Sequence, residues 1–195
     1  MSASATAAST VTGPGTALPI HRLDVDTYNK IVASGALEGQ RVELLDGVLV
    51  EMSPQSPAHA KVIERLIDHF LAARLPLRVQ MPIEVAPRSE PEPDLALLAE
   101  KPAPTQHPRT ALLVIEVAVN SQATDRDAKG VLYARAAIPT YWLIDVPARV
   151  VEVYTEPDES GYRRCERFSA DTKLPCALEG VSDISLVSLF EGIEG

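Results

Sequence analysis

The stretch ALLVIEVAVN, residues 111 to 120, constrains the fold more than any other, because it is apolar at almost every position rather than at every second one. A strand written this way is covered on both faces, as happens inside a sheet with helices packed above and below it. Glu116 interrupts the run. A glutamate there is rarely buried without a partner, so it belongs either to a structural ion pair or to a site. A second acid is placed as oddly. In SEPEPDLALLAE, Asp94 follows Pro93 and heads another apolar run. Pro-Asp is common in turns, so capping the strand edge is the alternative to a functional role.

The rest of the chain supplies elements to surround these strands. DVDTYNKIVASG predicts a short helix that Asp24 or Asp26 can cap and Gly35 can end. RVELLDGVLVEM predicts a β-hairpin, because Asp46-Gly47 between apolar runs suits a type I′ turn; that pairing sets Leu45 against Val48 and Glu43 against Val50. SPAHAKVIERLIDHFLAAR is a helix capped by Ser56 with Pro57 in its first turn, and His59, Val62, Ile63, Leu66, Ile67 and Phe70 form its inward stripe. LRVQMPIEVA, PDLALLA and ALLVIEVA read as strands, TDRDAKGVLYARAA as a helix weakened by Gly130, and PTYWLIDV as a further strand. VVEVYTE and YRRCERFS pair across the PDESG turn, and ISLVSLFEG docks a short terminal helix. This succession predicts an α/β fold: a central mixed β-sheet flanked by helices, with an N-terminal β-hairpin and extra C-terminal strands. Residues 1–20, rich in Ala, Ser, Thr, Gly and Pro, are expected to be a flexible tail, and residues 21–195 a single domain.

Alternation along the strand puts Leu112, Val114, Glu116 and Ala118 on one face, and Asp94 begins the face that carries Ala96 and Leu98. If the two strands are neighbours, the carboxylates converge at one edge of the sheet. Two ionised carboxylates in a partly dry place repel each other and lose hydration, so a divalent cation is their natural partner. Hard oxygen ligands suit Mg²⁺ or Mn²⁺ better than zinc, and the backbone carbonyl of Val117 can complete the set. Lys129 lies on the following helix with Asp125 one turn before it and Tyr133 one turn after. It can orient or activate a water or stabilise charge on a phosphate; the plainer alternative is a helical pair with Asp125, worth about 0.3–0.5 kcal/mol if exposed. Glu43 shares a strand face with Leu45, an unexpected place for an acid. His59 is read as a core hydrogen-bonding group before a ligand, and Tyr141 and Trp142 as core.

Composition limits the partners. A formal charge of −9 and a pI near 4.9 argue against a large basic face of the kind nucleic-acid binders usually show. Any such face has to come from a local stripe, for which Lys61, Arg65, Arg74, Arg126, Lys129 and Arg135 on two helices are the candidates. Arg163 and Arg164 read as a solvated strand face. Cys165 and Cys176 fit no zinc or redox spacing and are expected as reduced thiols. No secretory leader or membrane span is visible, so the expected location is cytoplasmic.

Taken together, RVELLDGVLVEMSPQSPAH, EPDLALL, VIEVAVNSQATDRDAKGVLYARAAIPTYWLID and VEVY resemble the Uma2 family of restriction-endonuclease-like proteins, over about Arg41 to Tyr154. The resemblance implies the core of the PD-(D/E)xK nuclease superfamily, with Asp94 as the "PD" acid and Glu116 as the acid of the third strand. The superfamily's lysine two positions after that acid is replaced by Ala118, and Lys129 is similar to the migrated lysine of this branch. Glu43 matches the acid of the "ELIDG"-like stretch and His59 the "SPxH". EVAVNSQATD departs from the serine-rich text usual after the strand acid. The implied activity is Mg²⁺-dependent hydrolysis of nucleic-acid phosphodiester bonds, of DNA in the first instance. Asp94, Glu116 and Val117 would be metal ligands, Lys129 and Glu43 would assist, and a homodimer would cut two strands. Two rivals stand beside it. One is a binding or assembly protein that keeps the fold without turnover, and the other a metal-dependent hydrolase of a small phosphorylated molecule.

Overall fold

The computed structural model describes residues 10–12, 17–85 and 87–193. Of the expected tail, residues 1–9 and 13–16 lie outside the described residues, while β1 (Thr10–Thr12) pairs antiparallel with β2 (Ala17–Pro19). Helix α1 (Val25–Ala33) begins at Asp24, whose carboxylate accepts a hydrogen bond from the Thr27 N–H at 2.7 Å. Strands β3 (Val42–Leu45) and β4 (Val48–Glu51) form the hairpin with Glu43 opposite Val50. Asp46 and Gly47 take φ of 44° and 80°, as a type I′ turn requires. Helix α2 (Pro57–Leu71) starts from Ser56, whose hydroxyl accepts from the His59 N–H.

The central sheet has six strands: β5 (Leu77–Val79), β6 (Leu95–Leu97), β7 (Leu113–Ala118), β8 (Thr140–Asp145), β9 (Val150–Asp158) and β10 (Gly161–Ser169). They lie side by side in the order β10-β9-β8-β7-β6-β5. β7 and β8 run parallel and every other neighbouring pair antiparallel, so the sheet is mixed as expected. The parallel pair needs a crossover, supplied by a π-helical turn (Thr124–Lys129) leading into α3 (Gly130–Arg135). A small pair, β11 (Lys173–Leu174) with β12 (Ile184–Ser185), precedes α4 (Leu186–Phe190).

Both faces of the sheet are covered, which is why β7 reads as a continuous apolar run. On one face Leu95, Leu97, Ile115, Val117 and Trp142 pack with Leu66 and Phe70 of α2 and with Phe190 of α4. On the other, Ala96, Val114, Ala118, Tyr141 and Leu143 pack with Tyr133 of α3. Glu116, in step with Val114 and Ala118, belongs to the α3 face.

One strand is shorter than the sequence suggests. The regular ladder of LRVQMPIEVA ends at Val79, and only separate backbone bonds from Gln80, Ile83 and Val85 follow, because Gln80 turns to φ 50° and Pro82 has no N–H to give a ladder. The helix after β7 also differs from expectation. Its first six residues are π-helical, and the Gly130 N–H reaches the Asp125 carbonyl five residues back. Gly130 lies close under Tyr141, whose Cε1 would be 3.6 Å from a β-carbon placed there.

Candidate active site

The β6–β7 register pairs Leu95 with Ile115, which continues to Asp94 opposite Glu116. The two acids therefore arrive at the same end of adjacent strands, in step with residues of one face. Both line a cleft of about 170 Å³ together with Glu43, His59, Asp125 and Lys129.

Asp94 is held by three elements. Its Oδ2 accepts from the Val117 N–H of β7 at 2.8 Å and lies 3.1 Å from Nε2 of His59 on α2. Its Oδ1 receives a longer bond, 3.3 Å, from Nε2 of Gln80. Pro93 is buried beside it, and the backbone carbonyl of Asp94 accepts from the Gln80 N–H. The contact at Val117 is thus made by its N–H and runs to Asp94. Nδ1 of His59 is buried and has no hydrogen-bond partner among the described residues.

Glu116 meets the helical layer. Its Oε1 accepts from Nζ of Lys129 at 3.1 Å and from the Tyr133 hydroxyl at 2.6 Å. Lys129 also lies 3.0 Å from Oε1 of Glu43 and 3.9 Å from Oδ1 of Asp125. Glu43 is fixed from behind, since its Oε2 accepts from the Glu92 N–H at 3.1 Å. Ser121 donates its hydroxyl hydrogen to Asp125. Glu43, Glu116 and Lys129 are 3%, 4% and 6% exposed, so water screens little of this. A hairpin, a central strand and a π-helical turn each deliver one carboxylate to a single ammonium group.

The charges in this cluster do not balance. Burial pulls the Lys129 ammonium down, but Glu116, Glu43 and Asp125 outweigh it and hold its pKa above the ordinary lysine value. Burial pushes Glu116 well up, with Asp125, Asp94 and Glu43 adding to the push and Lys129 opposing it. Asp125 is raised by burial, against the pull of Lys129 and of the Ser121 hydroxyl. Three acids share one cation, so the lysine stays charged while Glu116 holds a proton more tightly than a free glutamate does. A group arranged in this way gains from any further positive charge brought into the cleft.

The donor set suits a hard cation in one limited sense. Among the described residues, no group of three or more His, Cys, Asp or Glu side chains is disposed to hold a metal ion. Asp94 and Glu116 nevertheless each keep an oxygen facing few partners. The hydrogen bonds to Glu116 fall on Oε1, and Oδ1 of Asp94 has the single long bond from Gln80. Mg²⁺ is commonly bound through one or two carboxylates, with water and phosphate oxygens filling the remaining positions.

Other residues singled out in the sequence find different places. Tyr141 and Trp142 are core. Arg163 and Arg164 are exposed and paired with nearby acids. The stripe expected from Lys61, Arg65, Arg74, Arg126, Lys129 and Arg135 does not form. Lys129 points inward, Arg126 makes a two-pronged bond to Glu152 at 2.9 and 3.1 Å, and Arg65 and Arg135 donate to the carbonyls of Leu189 and Glu159. Tyr133 and Gln80 had not been singled out as site residues. The signal for Tyr133 was its place one helical turn after Lys129, on the side facing an acid-bearing strand.

Fold and cleft together define a restriction-endonuclease-like α/β protein. The chain belongs to the Uma2 family, whose model, described as "Putative restriction endonuclease", matches residues 25–187. Its fold is similar to that in a crystal structure of "a putative nuclease belonging to DUF820" from Anabaena variabilis. The TM-score is 0.61 at 15% identity, covering 76% of this chain and 89% of the other, a likeness of fold. No curated protein sequence matches. Among the described residues, no helix is long and apolar enough to cross a membrane.

Proposed function

We propose that this protein is a metal-dependent phosphodiesterase acting on nucleic acid, with Asp94 and Glu116 as the acids that hold Mg²⁺ or Mn²⁺. The observation that carries the reading is the meeting of these two acids at one end of adjacent strands, beside a buried lysine. A bound divalent cation supplies polarisation of the phosphorus–oxygen bond and a lowered pKa for water. The chain's own groups do the rest. His59, Gln80 and the Val117 N–H orient Asp94, and Tyr133 orients Glu116. Lys129 brings a positive charge to where a phosphate gains negative charge or a water must be aligned, and Glu43 keeps its ammonium in place. Val117 can add its carbonyl as a further oxygen donor. Cutting both strands of a duplex needs two such sites, so a homodimer goes with that activity, and sedimentation measures it.

The test is incubation with DNA and RNA in Mg²⁺ or Mn²⁺ beside Asp94→Ala and Glu116→Ala. Cleavage should vanish in both variants, and cleavage undiminished in both would remove this site from the reaction. One observation favours a second reading, a binding protein without turnover: Lys129 is already paired closely with Glu43 and Glu116, with Asp125 at 3.9 Å. Calorimetry with Mn²⁺ separates the two, because a protein with no metal affinity at these acids is not the proposed enzyme.

A further inference from the structure

Beside the cleft, a larger groove of about 900 Å³ runs along β5, at the open edge of the central sheet. Its basic lining is Arg74, Arg78, Lys101 and His107, and no Asp or Glu lines it. In a chain with nine more acidic than basic residues, such a groove is a local reversal of charge. Arg74, Arg78 and Lys101 form no salt bridge among the described residues. Across the loop after Leu98, the neighbouring groove shares Lys101 and His107 but adds Glu84 and Glu100 beside Arg109, so the lining without acids is that of the β5 side.

Arg78 is the most telling of the four. It is half-buried on β5, its Nε is buried without a hydrogen-bond partner, and its Nη2 makes two long contacts of 3.4 Å, to the Pro82 carbonyl and to Nδ1 of His107. A guanidinium carries five N–H donors, so most of its capacity is unspent. Between the basic groups the groove is apolar, with Leu75, Leu77 and Leu98, and Leu71 and Met81 are 65% and 47% exposed. The groove also adjoins the cleft. Gln80, two residues beyond Arg78, lines the cleft and donates to Asp94.

We propose that this groove binds single-stranded nucleic acid on its way to or from the cleft, an inference that rests on the phosphodiesterase reading. Arg74, Arg78 and Lys101 take successive phosphates, and the bases lie on the aliphatic and prolyl floor. An apolar floor between cations fits a single strand, which exposes its base faces; a duplex hides them and offers its backbone alone.

The experiment measures binding of a fluorescein-labelled single-stranded oligonucleotide in EDTA, where no turnover occurs, from 50 to 200 mM salt. Each phosphate contact on a single strand contributes a slope of about 0.7, so three contacts weaken binding about 20-fold over that range. Arg74→Ala with Lys101→Ala leaves one contact and a loss of about 3-fold over the same range. Both positions are exposed, and folding is checked by circular dichroism. A double variant that binds with unchanged affinity and salt slope overturns the proposal. So does a wild-type protein that ignores the single strand or prefers a duplex of the same sequence. A double variant that alters sedimentation without altering oligonucleotide binding also overturns it, and assigns the groove to a second, acidic copy of this chain. Mn²⁺ calorimetry on the wild-type protein reads the cleft separately, so failure there leaves the groove result standing.

Discussion

Replacing Lys129 with methionine tests the electrostatic core of the site most directly. The change keeps an unbranched side chain, one atom shorter, and removes its charge, leaving Glu43, Glu116 and Asp125 facing one another at burial levels where water compensates little. Removing one partner of a buried pair costs about 3–5 kcal/mol. In a protein of this size each kcal/mol moves the melting temperature by about 2–4 °C, so at pH 8 a fall of about 6–20 °C is expected. The acids can relieve the repulsion by taking up protons, which fixes the sign of the pH dependence. A carboxyl whose pKa is raised on folding binds its proton more tightly in the folded state. Its stabilising effect is therefore present at low pH and is lost as pH climbs from the unfolded value through the raised one. Burial already raises Glu116 and Asp125, and losing the ammonium that opposes this raises them further. Lys129→Met should accordingly lie closer to wild type at pH 5 than at pH 8, followed by thermal melts across that range. A loss below about 1 kcal/mol that does not change with pH would refute the buried cluster.

Further outcomes follow from local geometry. Gly47→Ala places a β-carbon 2.6 Å from that of Arg22 in a residue at φ 80°, so it should cost more than about 1 kcal/mol in denaturant unfolding and loosen the hairpin that carries Glu43. Gly130→Ala meets its neighbours at ordinary contact distances of 3.5 Å and more, and should be neutral or stabilise by up to about 1 kcal/mol in the same measurement. Burial raises the Glu90 carboxyl against the opposing bond from Asn29, so its charge destabilises the fold as pH rises. Glu90→Gln should gain on wild type between pH 5 and pH 8 in melting temperature.

The parts of this fold written in local chemistry were the parts legible in the sequence. Asp46-Gly47 specifies its turn within two residues, Ser56-Pro57 its helix start, and the apolar run around Glu116 its place inside the sheet. The meeting of Asp94 with Glu116 followed from strand alternation once the strands were taken as neighbours. The reach of Lys129 to the acids followed from its helical spacing; what could not be read was where its basic neighbours turn and where a ladder breaks. Arg126, three residues before Lys129, was a candidate for a basic stripe and instead turns to Glu152. The π-helical turn shifts that phase, and helical spacing alone does not reveal it. Gln80 was hidden in a stretch of strand-like text that its own left-handed backbone interrupts.

The wide turn from Thr124 to Lys129 has a consequence beyond geometry. A π-helical turn holds one more residue than the α-helical turn it replaces, and such turns occur often at functional sites. β7 carries Ala118 and no lysine, and the ammonium beside Glu116 comes from the crossover segment. There, inserting or deleting a single residue swings every later side chain by about 100°. An amine in such a place can be dialled into or out of the cleft by changing the length of the chain, with no exchange of one amino acid for another. Deleting one residue between Gln122 and Arg126 would leave the lysine in the sequence and remove it from the acids.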